Sequence, residues 1–136
     1  MIIIVIFLFL YFSSISLFSQ ESAQDFYIKG TKTVSTDSAI SYLNKAINLD
    51  SKFVLAYFSR GMAHFKRNDF LYALSDFAKT IELDSLFADA YFYRGTIKNM
   101  LENNIPPTTG NNDIENAKRL GSKLPNLKII DSSKRK

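Results

Sequence analysis

Residues 56–61 read AYFSRG and residues 90–95 read AYFYRG, five of six letters identical at a spacing of 34 residues. The same shift superimposes much more. Ala39 falls on Ala73, Ile40 on Leu74, Leu43 on Phe77, Ala46 on Thr80 and Ile47 on Ile81. NLDSKF (48–53) falls on ELDSLF (82–87). A period of this length marks a stack of repeated units, each burying its apolar face only against its neighbours.

The pattern inside one period predicts a pair of helices. Across 70–81, apolar residues stand at Phe70, Ala73, Leu74, Phe77, Ala78 and Ile81, one stripe of a helix. Across 54–65, Tyr57, Gly61 and His64 share a face, and Phe58, Met62 and Phe65 share the next. A helix apolar on two faces must touch several neighbours. Asn68-Asp69 break the pattern and are expected to cap the second helix, with Asp50-Ser51 and Asp84-Ser85 doing the same between units. Glycine in mid-helix costs about 1 kcal/mol against alanine. Its recurrence at Gly61 and Gly95 predicts that packing requires it, with the small Ala73 opposite. Arg60 and Arg94, set in largely apolar helices, need partners. Asp76 and Asp113 are the expected ones, each one residue before an apolar core position, Phe77 or Ile114.

These residues carry a resemblance. Tyr57, Gly61, Ala73, Phe77 and Thr80, with Tyr91 and Gly95 after them and Ala39, Leu43 and Ala46 before, are similar to the tetratricopeptide repeat. Tyr stands for the usual Trp, Arg60 and Arg94 for the usual Leu, and Ser51 and Ser85 for the usual Pro. The Arg-Gly variant is familiar among bacterial members, and the resemblance is to their exported type. It implies an all-α solenoid of about three helical hairpins over residues 20–121, the outer units distorted. FYIKG (26–30) resembles an earlier copy, although Gly30 to Ala39 spans 9 residues where Gly61 to Ala73 spans 12. IPPTTG (105–110) ends helix 88–103 at two prolines. NDIENAKRLG (112–121) resembles a last second helix after a three-residue insertion, with Gly121 as its C-cap.

The flanks differ from the repeats. Residues 2–12 are an unbroken apolar run, followed by small and polar residues up to Ser19. That length suits a secretory leader, residues 1–19, cut before Gln20, better than a spanning helix. An uncleaved membrane anchor over residues 2–18 is the alternative, and a buried core helix is a third reading. The main readings make the chain exported, periplasmic or secreted, or membrane-anchored. Residues 118–136 hold seven Lys and Arg against Asp131 alone, a net +6 that leaves −2 for the rest of the +4 chain. The basic end, 122–136, is expected to be a solvated, disordered tail, with an acidic partner or a lipid surface as the alternative. A nucleic-acid-binding domain would need its basic face on the fold itself.

No catalytic constellation is visible. The chain lacks cysteine, which excludes disulfides, thiolate nucleophiles and Cys-ligated zinc. The lone histidine, His64, has no converging partner in the sequence and is expected to be packed. No glycine-rich phosphate loop occurs. The expectation is a non-enzyme with no cofactor and no metal.

In tetratricopeptide proteins the first helices line a groove that receives a peptide or a partner helix. That resemblance implies a groove of Leu55, Phe58, Met62, Phe65 and Lys66, then Asp89, Phe92, Thr96 and Asn99. Phe58 and Phe92 are expected as two exposed aromatic platforms, unless such side chains pack between units. The family's chaperone-tail clamp needs Asn where Met62 and Thr96 stand, so that ligand is not implied. A partner protein or peptide is expected, with no nucleic acid. The alternative is a structural, self-associating segment of a larger envelope complex.

Overall fold

The computed structural model describes residues 20–101 and 109–124. The expected leader, the two prolines and the tail beyond residue 124 lie outside the described residues. Six helices follow one another: α1 (Ala23–Lys32), α2 (Thr36–Leu49), α3 (Val54–Lys66), α4 (Phe70–Leu83), α5 (Ala88–Leu101) and α6 (Thr109–Arg119). Among the described residues there is no strand, and no helix is long and apolar enough to cross a membrane. Each helix packs on the next, giving hairpins α1/α2, α3/α4 and α5/α6, with α2 against α3 and α4 against α5.

Local chemistry sets the helix ends. Ser22 opens α1 through a reciprocal box: Asp25 N–H donates to Ser22 Oγ, and Ser22 N–H donates to the Asp25 carboxylate. The hydrogen bonds from Ser22 hold the Asp25 carboxyl below the usual range. Gly121 closes α6 at φ 83°, with Ser122 N–H reaching the Ala117 carbonyl and Gly121 N–H the Lys118 carbonyl, both at 3.0 Å. That is the paired left-handed cap expected of Gly121.

The inter-unit aspartates act differently from expectation. Asp50 and Asp84 close the preceding helices, α2 and α4. Their carboxylates then accept the N–H two residues on, from Lys52 (2.9 Å) and Leu86 (3.0 Å). They fix the turn between units and do not cap the next helix. Asp69 holds the N-cap position of α4 but makes no side-chain cap bond. Its carboxylate is drawn instead to Arg67 Nε at 3.0 Å, while Asn68 breaks the chain at φ 63°.

Each hairpin is built on a glycine. A Cβ on Gly61 would lie 2.9 Å from the Phe77 ring and 3.2 Å from Asp76 Cβ. On Gly95 it would lie 2.6 Å from the Gly110 carbonyl oxygen and 3.0 Å from Asp113 Cβ. On Gly30 it would meet Leu43 Cγ at 2.9 Å and the Ala39 carbonyl oxygen at 3.3 Å. Gly30 is therefore a genuine earlier copy, and α1 is simply shorter: it stops two residues past its glycine, where α3 runs five past Gly61. In the last hairpin Gly110 occupies the place held by Ala73, a match that the sequence comparison passed over.

Around these contacts lie two apolar clusters. Leu43, Ala46, Ile47 and Ala56 are packed by Phe26, Tyr27, Phe53 and Tyr57 where the first two hairpins meet. Ala73, Phe77, Ala90 and Ile97 are packed by Phe58, Met62, Phe65, Phe87 and Tyr93, among others, where the second meets the third. Full burial of side chains such as Phe77 and Leu43 contributes about 1.5–3 kcal/mol each.

The expected ion pairs tie two of the hairpins. Arg60 Nε and Nη2 donate to the two oxygens of Asp76 at 2.9 and 2.6 Å. Arg94 does the same to Asp113 at 2.9 and 2.7 Å, and Lys98 adds a third bond at 2.8 Å. Asp76 is only 3% exposed. Hydrogen bonding to Asp76 raises the Arg60 pKa against the opposing effect of burial. Burial pushes the Asp113 carboxyl up, but the bonds from Arg94 and Lys98 outweigh it and hold it below the usual range. Arg60 Nη1 also reaches Asn44 Oδ1 at 2.7 Å, so one guanidinium joins α2, α3 and α4. Each guanidinium lies 5.5 Å from the ring three residues earlier, Tyr57 or Tyr91. In the first hairpin Tyr42 stands where Asp76 would be. Lys29 instead pairs with Glu21 and lies 5.7 Å over Phe26.

Two measurements check this packing. Gly95→Ala should destabilise the fold by about 1–3 kcal/mol in urea unfolding, overriding the helix-propensity gain of about 1 kcal/mol. It should cost more than Gly61→Ala, because a carbonyl in a helix backbone yields less than a ring that can tilt. Equal losses would contradict this reading. Separately, Arg60→Met should cost about 3–5 kcal/mol by stranding the buried Asp76 carboxylate, and adding Asp76→Leu should recover much of the loss. Additive losses in that cycle would show that the two charges are independent.

Candidate partner-binding face

The nine groove positions sit on α3 and α5, and the fold treats them unequally. Leu55 is 44% exposed, Lys66 is exposed, and Met62 is half-buried. Phe58 and Phe65 are drawn into the stack. Phe58 lies 4.7 Å from the Phe87 ring and 5.7 Å from Phe77, and Phe65 lies 6.0 Å from Phe70. Phe92 is buried at 7% exposure, and Thr96 is buried with its hydroxyl donating to the Phe92 carbonyl at 2.8 Å. Asn99 turns toward α6, where its amide donates to Asn111 Oδ1 at 3.3 Å. Asp89 is half-buried and accepts a 2.7 Å bond from Ser122 Oγ, which folds the chain past α6 back onto the start of α5.

The expectation of Phe58 and Phe92 as exposed platforms is thus corrected. A solenoid has no interior other than its unit-to-unit seams, so its largest rings are consumed there. The centre of the seam is Tyr93, which the repeat comparison did not single out. It lies 5.6 Å from the rings of both Phe77 and Phe65, 6.1 Å from Phe58 and 5.5 Å from Phe92. Burial, with Asp89 nearby, pushes its phenol pKa up. Tyr93 falls on Ser59 in the 34-residue register, so the repeat itself hid it.

What stays open lies further along α3. A cavity of about 210 Å³ sits between the end of α1, the α1–α2 turn and α3. Gly30, Ala39 and Leu43 form its buried floor. Thr31, Thr33, Val34, Ser59, Met62 and Lys66 line its sides and mouth. It joins two of the expected groove residues, Met62 and Lys66, to a turn that the sequence reading did not single out. The signal was available in the three residues that separate the two Gly-to-Ala spacings.

The described residues include no group of three or more His, Asp or Glu that could hold a metal. His64 stacks on Tyr72 with ring centroids 5.2 Å apart and places Nδ1 3.5 Å from Asp69 Oδ2. Those are packing and side-chain contacts.

Phe58→Ala should lower stability by about 3–5 kcal/mol, whereas Leu55→Ala should stay within about 0.5 kcal/mol. Thermal melts followed by circular dichroism compare the two. A Phe58 variant as stable as the parent would show that its ring is free of the seam.

No family model and no curated protein matches the chain. Solved structures do. The second tetratricopeptide domain of Spaghetti (RPAP3), bound to the HSP90 peptide SRMEEVD, superimposes with a TM-score of 0.67 at 24% identity, over 74% of this chain and 93% of that one. YrrB, described as a tetratricopeptide protein with an unusual peptide-binding site, gives 0.66 at 27% identity over 77% of this chain and 54% of that one. MamA gives 0.64 at 23% identity over 73% and 54%. With three glycine-packed hairpins in series, the chain has the tetratricopeptide-repeat type of fold, an all-α solenoid of helical hairpins.

Proposed function

We propose that this chain is a non-catalytic interaction module that holds a segment of a partner protein against the face built by α1, α3 and α5. The observation that carries the reading is the open cavity beside Met62 and Lys66. Two tetratricopeptide domains of Spaghetti with this fold hold an HSP90 peptide. That ligand does not transfer, because Met62 and Thr96 replace the asparagines its clamp needs. Curved stacks of this type present their first helices as one extended surface, which suits an extended segment better than a compact small molecule. The apolar run of residues 2–12 supports a site of action outside the cytoplasm or at a membrane.

Selection of random peptides on the full chain tests the reading. Enriched peptides should cross-link to a photoreactive residue placed at Met62 and not to one at Glu82, on the outer helix α4. If no peptide is enriched and sedimentation shows the chain associating with itself, the module is a structural segment and the proposal fails.

A further inference from the structure

The cavity beside α3 has a definite origin. α3 continues five residues past Gly61, and α1 only two past Gly30. The three missing residues amount to about 4.5 Å of helix, nearly one turn. Where that turn would cover α3, the chain bends into the α1–α2 turn, leaving the notch of about 210 Å³. Its volume lies below the roughly 300–1,000 Å³ typical of drug-sized ligands. It suits one side chain of a larger partner.

The lining states which side chain. The floor is apolar, with Leu43 and Ala39 at its base. Val34 stands at the mouth fully exposed, an apolar group with no cover. Beside it is Lys66, exposed and without an ion pair among the described residues. Two other cations nearby are engaged, Arg67 with Asp37 and Asp69 and Lys29 with Glu21, while Lys32, at the end of α1, adds a second exposed positive charge. The mouth therefore offers an ammonium without an ion pair next to a hole with an apolar floor and sides of threonine and serine.

We infer that the notch is the anchor point of the groove, taking one aliphatic side chain from an acidic stretch of the partner, with a flanking carboxylate against Lys66. The inference rests on the interaction-module reading and specifies its ligand. Carboxylates beside the anchor complement the rim charge, while the aliphatic group covers Leu43, Met62 and Val34.

The test uses the full chain with labelled Met, Val and Leu methyl groups. The probe is a heptapeptide capped at both ends, Gly-Glu-Asp-Leu-Glu-Asp-Gly. It should shift the Met62 and Val34 methyl signals. The same peptide with Gly for Leu, or with Lys for the four acids, should not. Lys66→Glu should weaken binding about threefold to tenfold, as expected for reversing one rim charge. Ala63 also lines the cavity, and Ala63→Leu, which adds bulk there, should weaken binding at least about tenfold by steric exclusion. Lys66 is exposed, so its variant decides the matter if Ala63→Leu fails to fold. Shifts confined to Leu55 would overturn the notch and leave the interaction module standing. Equal binding of the lysine peptide would overturn it as well. So would silence of the Met62 and Val34 methyls, including a chain that sediments as a dimer with the notch filled by a second copy. The photo-cross-linking selection then decides the broader reading separately.

Discussion

Everything in this fold depends on how closely two helices can approach. In each hairpin the first helix presents a glycine to the second, and a single Cβ there would press into a ring, a side-chain branch or a carbonyl. The absence of that one carbon sets the hairpin spacing, and the spacing aligns everything else. With the helices this close, Arg60 reaches Asp76 with both arms of its fork, and Arg94 reaches Asp113 in the same geometry. Bidentate pairing of this kind depends on both distance and angle, so it reports on the register of the hairpin as well as binding it. The glycine therefore costs helix propensity locally and returns it as packing and aligned charge.

The three hairpins solve the same problem with different means. The second has the full set: glycine, alanine opposite, buried carboxylate and guanidinium, with Asn44 of the preceding hairpin joined to it. The third replaces the alanine by Gly110 and adds Lys98 to the carboxylate. The first has no carboxylate in that place; Tyr42 stacks on Phe26 there, and Lys45 approaches both rings. The notch beside α3 lies where α1 stops short of it, two residues past Gly30.

Function and stability compete for the same side chains. The aromatic residues that would make a groove attractive to a partner are also among the large groups that seal the seams. In this chain the seam takes Phe58, Phe65, Tyr93 and Phe92, with Met62 half-buried against the same cluster, and leaves Leu55 and Lys66 exposed. Under the proposed reading, that division places the contact region away from the aromatic midline and toward the junction of the first two hairpins.

By itself the sequence determined the helical hairpins, their 34-residue register, the glycine contacts and the Arg–Asp pairs. Each of these is a local periodicity or a repeated letter, and repetition makes a short pattern unambiguous. It also exposed the short first unit as a spacing of 9 against 12 residues. Only the tertiary structure decided which face each aromatic ring serves. Phe58 stands about 100° around its helix from Tyr57, a direction that points equally well toward a groove or toward the neighbouring hairpin, and the choice depends on the tilt between units. Tyr93 was hidden because its register partner is Ser59, and the Asp50 and Asp84 carboxylates because a cap and a turn use the same residue. The cavity was hidden for a more general reason: a missing turn is visible in a sequence as a number, but what it uncovers belongs to the neighbouring helix.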